Sequence, residues 1–88
     1  GVDELLQVNV DLRSVRTIQE ALRKRVAETP LGEWVVGFKY DDTKLEEGRP
    51  INIRDLDEIA PSHPVEVRHR GGHTAVYNSK AFQLAGAL

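Results

Sequence analysis

The segment Trp34-Val35-Val36-Gly37-Phe38-Lys39-Tyr40 most narrows what this chain can become. It is rich in β-branched and aromatic side chains and is bounded by Gly32 and by Asp41-Asp42, which predicts a strand. Alternation sets Trp34, Val36, Phe38 and Tyr40 on one face, with Val35 and Gly37 on the other. Neither face carries a charge before Lys39, the pattern of a central strand in a covered parallel sheet. Parallel strands need long crossovers, usually helical, so the flanking sequence should carry helices.

It does. Val8, Val10 and Leu12 alternate with Asn9, Asp11 and Arg13, predicting a first strand over 8–12. Thr17-Ile18-Gln19-Glu20 has the form of a capping box, opening a helix over 18–28 whose inner face holds Ile18, Ala21, Leu22 and Val26. Pro30 and Gly32 end it near Thr29. Residues 41–52 are polar and turn-prone. Asn52 then caps a short helix with Ile53, Leu56 and Ile59 on one face, closed by Pro61. Pro64 to Arg70 alternates again, grouping Val65, Val67 and His69. Gly71-Gly72 reads equally as a hairpin turn or as a release into a loop, and Asn78 caps a last helix holding Ala81, Phe82 and Ala85. The order strand–helix–strand–helix–strand–helix predicts an α/β fold with a small three-stranded, mostly parallel sheet. Its helices would cover one face and leave the other for a partner.

Eighty-eight residues make one small domain, with 40% hydrophobic residues to build its core. The absence of cysteine excludes a disulfide scaffold or a thiolate metal site and fits a cytoplasmic protein. A net charge of −2, evenly spread, gives nothing to steer nucleic acid or a membrane surface. Arg23-Lys24-Arg25 reads as the solvated face of the first helix. No apolar run approaches the length of a bilayer span. The chain has no methionine, begins at Gly1 and ends on the apolar stretch Phe82–Leu88, so it is expected to be a piece of something longer.

Motif chemistry is sparse. His69 and His73 are separated by three residues, but two of these are glycines, so no helix aligns the imidazoles. Asp41 and Asp42 beside Tyr40 form a carboxylate pair. Adjacent residues on an extended chain face opposite ways, which leaves either an acid–base role for one of them or a solvated turn. Ser14, Ser62 and Ser79 lack the setting of a nucleophile elbow, and no glycine-rich phosphate loop is present.

Three blocks, read together, carry a resemblance. Gly32-Glu33-Trp34-Val35-Val36-Gly37-Phe38-Lys39-Tyr40-Asp41-Asp42-Thr43-Lys44-Leu45 is similar to the stretch "GEWIVGxGWDxxxL" of amidohydrolase family 3. Arg54-Asp55-Leu56-Asp57 and Pro61-Ser62-His63-Pro64-Val65 resemble "xxDLDxxxPxHPV", and Gly72 to Phe82 resembles "GHxAxxNSxAL". Tyr40 stands where that family usually has Trp, and Gly71 where it usually has Asp.

The resemblance implies that residues 1–88 form a single α/β segment cut from between the first metal-binding strand and the rest of a (β/α)8 barrel. The parent would be a metal-dependent hydrolase of C–N bonds in non-peptide amides. Its divalent metal, expected to be zinc, would be held by a His-x-His before Gly1 and by ligands after Leu88. The segment itself would be inactive, with no catalytic residue and no metal ligand, and its partner would be the remaining barrel. It would contribute pocket wall, for which His73, Tyr40, Asp41 and Asp42 are the candidates. The alternative is a stand-alone α/β binding or interaction module without catalytic activity.

Overall fold

The computed structural model describes residues 7–85. Gly1 and the Gly86–Leu88 end, which bear on the expectation of a longer parent, lie outside the described residues. The order is β1 (Gln7–Asn9), α1 (Val15–Glu28), β2 (Val35–Tyr40), a 3-10 turn (Asp42–Lys44), α2 (Ile53–Ile59), β3 (Val65–His69), β4 (Ala75–Tyr77) and α3 (Ser79–Ala85). The sheet runs β1-β2-β3-β4, with the first three strands parallel and β4 antiparallel to β3.

The fold is the expected α/β, mostly parallel class, with four strands where three were predicted. The fourth arises because Gly71-Gly72 makes a hairpin. Gly72 adopts φ +76°, its N–H donates to His69 O at 2.9 Å, and His69 N–H donates to Thr74 O at 3.0 Å. The chain then returns along β3, pairing Glu66 with Tyr77 and Val67 with Val76.

Burial alternates along β2 and β3 as strand geometry requires. Val35, Gly37, Val65 and Val67 are buried in one core with Ile18 and Leu22 of α1 and Leu56 and Ile59 of α2. At Gly37 a Cβ would lie 3.2 Å from Val10 Cγ1, so glycine there permits the close approach of Val10. On the other face Val36, Phe38 and Glu66 are only half-buried and Arg68 is exposed. β2 is central, between β1 and β3, as expected. Trp34, however, lies just before the strand and is 36% exposed, so it is not the buried anchor its position in the pattern suggests.

Tyr40 departs from the expected face as well. Gly37 pairs with Val67 but Tyr40 pairs with His69, so β2 spends three steps where β3 spends two. The extra residue is a bulge at which Lys39 adopts φ +62°. It reverses the alternation, and Tyr40 turns into the core instead of joining Val36 and Phe38. In the stretch this segment resembles, glycine stands at the position of Lys39.

The helix caps follow local chemistry. Asn52 and Asp55 form a reciprocal capping box on α2, and Asn78 accepts from Ala81 N–H to start α3. For α1 the cap is Ser14, not Thr17, and the helix begins one turn earlier than 18. Thr17 N–H donates to Ser14 Oγ at 3.0 Å, while Glu47 from a distant loop accepts from Val15 N–H at 2.9 Å. A carboxylate on the first free amides of a helix stabilises its opening turn.

Candidate functional site

The parallel strands β2 and β3 end side by side, and the side chains just beyond their carboxyl ends converge. The Tyr40 and His69 rings meet edge to face at 5.9 Å. The Tyr40 hydroxyl oxygen accepts from Ile51 N–H at 2.8 Å, and burial raises the phenol pKa. It therefore stays protonated at neutral pH.

Asp41 caps the 3-10 turn. Its Oδ1 accepts from the Thr43 hydroxyl at 2.6 Å and from Thr43 N–H at 3.0 Å, and its Oδ2 accepts from Arg70 Nη1 at 3.1 Å. These bonds, the Thr43 hydroxyl foremost, lower its pKa to about 2. Asp41 is thus a fixed anion with its acceptors engaged, positioned to hold Arg70 and not to move protons.

Asp42 meets a different partner. Its Oδ1 lies 3.2 Å from His69 Nε2. Because His69 Nδ1 accepts from Gly71 N–H at 3.1 Å, the neutral ring carries its proton on Nε2 and donates it to Asp42. Both side chains reach solvent.

Of the four residues singled out from sequence, Tyr40, Asp41 and Asp42 come together here, and the two aspartates hold separate partners as adjacent residues must. His73 stands apart on the β3–β4 turn. It lines an open groove of about 520 Å³ with Glu66, Arg68, Thr74 and Tyr77. Gly71 joins the two regions: a Cβ there would lie 3.4 Å from His69 Nδ1 and 3.7 Å from His73 Cδ2. Sequence reasoning placed His69 as a strand-face residue, paired it with His73 only by spacing, and gave Arg70 no role. Their partners lie 27 and 29 residues away, so no local motif announces them.

Among the described residues, no group of three or more His, Cys, Asp or Glu side chains is placed to hold a metal ion. His63, buried, has its Nε2 2.8 Å from Thr29 O and ties the end of α1 to the approach of β3. The described residues do not fit a metal centre. No described helix is long and apolar enough to cross a membrane.

A family model described as "Amidohydrolase family" matches residues 6–88. The chain belongs to the amidohydrolase family. The solved structure of an uncharacterised metal-dependent hydrolase from Pyrococcus furiosus superposes with a TM-score of 0.77 and 30% identity, over 96% of this chain and 16% of that one. The N-substituted formamide deformylase of Arthrobacter pascens is 28% identical over 85% of this chain and 14% of its own length. A Bacillus subtilis (strain 168) protein, YtcJ, whose name assigns it provisionally to the amidohydrolases, is 28% identical over 96% of this chain and 16% of its own. The chain thus spans about one-sixth of the length of these relatives.

Proposed function

We propose that this amidohydrolase segment lies between the first metal-binding strand and the rest of a (β/α)8 barrel and packs beside the barrel mouth. The observation that carries this reading is a sheet with α1 and α2 packed on one face while Val36, Phe38 and Glu66 on the other are only half-buried. The less covered face is the one left for the remainder of the barrel to pack against. In open α/β sheets ligands bind beyond the carboxyl ends of the strands, where Tyr40, Asp41 and Asp42 lie.

In this reading the parent hydrolyses C–N bonds of non-peptide amides, the chemistry suggested by the name of the deformylase relative. A divalent metal, zinc in the simplest case, would be held by residues elsewhere in the parent and would supply water activation. The segment contributes pocket wall. The Tyr40 phenol and His69 meet edge to face, Asp41 pairs with Arg70, and His73 stands on the hairpin, exposed beside the groove.

Two experiments test this. The reading frame around the segment should encode a His-x-His before it and further His and Asp ligands after it; a frame without them leaves a stand-alone module. In the intact enzyme, His73→Ala should raise KM for a formamide or acyl-amide substrate about fivefold. Its bound metal should be unchanged. Loss of metal in that variant would make His73 a ligand and overturn the wall reading.

A further inference from the structure

The carboxyl ends of the strands carry a second feature, which shares Arg70 with the wall proposed above. Asp11 beyond β1, Lys39 at the end of β2, Lys44 at the end of the 3-10 turn and Arg70 beyond β3 line an open groove of about 370 Å³. The ends of β1, β2 and β3 and the 3-10 turn after β2 therefore bring three cations and one anion to a single concavity. In open parallel sheets the crevice beyond the carboxyl ends of the strands is where ligands bind.

Two of the cations are already held in place. Lys44 Nζ lies 3.0 Å from Asp11 Oδ1, and Arg70 Nη1 lies 3.1 Å from Asp41 Oδ2. Arg70 is fixed further by its backbone N–H, which donates to Tyr40 O at 2.8 Å. Each keeps donors to spare, because an ammonium has three and a guanidinium five. Lys39 differs: among the described residues it forms no ion pair. Its left-handed backbone, one residue before the buried Tyr40, sets its side chain on the groove. With two pairs neutralised, the groove keeps one net positive charge. That balance suits a singly charged ligand, whereas a phosphate dianion would face Asp11 and Asp41 with too little charge to match it.

We propose that this groove binds the carboxylate of a small organic acid, with Lys39 as its charge partner and Arg70 and Lys44 as preorganised hydrogen-bond donors. Backbone amide shifts of the intact enzyme, followed by NMR at constant ionic strength, test it. Acetate should shift Lys39, Lys44, Arg70 and Gly71 saturably, with a dissociation constant on the order of 10 mM. Lys39→Gly, which suits the left-handed backbone and so keeps the fold, should weaken that binding about fivefold. Equal shifts with chloride would reduce the effect to screening and overturn the site. Tighter binding of inorganic phosphate than of acetate would overturn the carboxylate assignment, and unchanged affinity in Lys39→Gly would overturn the role of Lys39.

Discussion

Asn78 is fully buried, and its amide makes four hydrogen bonds. Oδ1 accepts from Val65 N–H and Ala81 N–H, both at 2.9 Å, while Nδ2 donates to Ala60 O at 2.9 Å and His63 O at 2.7 Å. One side chain thus joins the end of α2, the start of β3 and the cap of α3. Asn78→Ala leaves buried backbone groups unpaired and should cost about 3 kcal/mol or more, a large share of a small domain's stability, read from the denaturant midpoint. Asp41 acts through charge instead. Its folded pKa, about 2, lies below the ordinary carboxylate value, so its stabilising contribution is complete above roughly pH 4 and is lost as pH falls through about 2. Glu47 and Asp55 are lowered for related reasons, by Val15 N–H and by Arg49 respectively, and share this acid sensitivity. Asp41→Asn should flatten, without abolishing, the fall in stability between pH 4 and 2. An unchanged pH profile would mean that the Thr43 and Arg70 bonds do not hold the carboxylate in solution.

The elements were legible in sequence wherever one segment determines its own structure. Alternation located β2 and β3, and Asn52 and Asn78 announced their helices, because a side chain two or three residues from its target needs no tertiary help. Two features depended on remote contacts. Ser14 and Thr17 are both good caps in isolation, and Glu47 on the amides of Val15 and Arg16 favours the earlier start. The bulge in β2 is set in the pairing with β3, where Lys39 turns left-handed, and one extra residue inverts the face of everything after it. A left-handed Lys costs about 1–2 kcal/mol relative to a relaxed backbone. Lys39→Gly should therefore raise stability by up to about 1 kcal/mol despite removing a charged side chain, part of the gain being lost to the freer unfolded chain. A destabilised variant would mean that the Lys39 side chain holds the bulge together. Ser14→Ala should cost about 1 kcal/mol, measured the same way, because it removes the oxygen that accepts from Thr17 N–H.

At the scale of the whole molecule, the candidate site was only half legible. Tyr40, Asp41 and Asp42 are contiguous and could be singled out by eye, whereas His69 and Arg70 join them only when β2 and β3 lie parallel and end together. The same arrangement governs what the three histidines can do. The His63 ring nitrogen is buried against Thr29 O, and both ring nitrogens of His69 are occupied, by Asp42 and by Gly71 N–H. Binding a metal through His63 would break a buried contact, and binding through His69 would break one of its two bonds. A catalytic zinc needs about three protein ligands on one ion, and His73 with a solvent carboxylate supplies too few. Calorimetric titration of the 88-residue chain with zinc should therefore show no stoichiometric site tighter than about 10 μM. A tight site with one zinc per chain, abolished by His69→Ala or His73→Ala, would show that the β3–β4 hairpin rearranges around a metal. In that case the hairpin would be a ligand-bearing element of the amidohydrolase and not part of its wall.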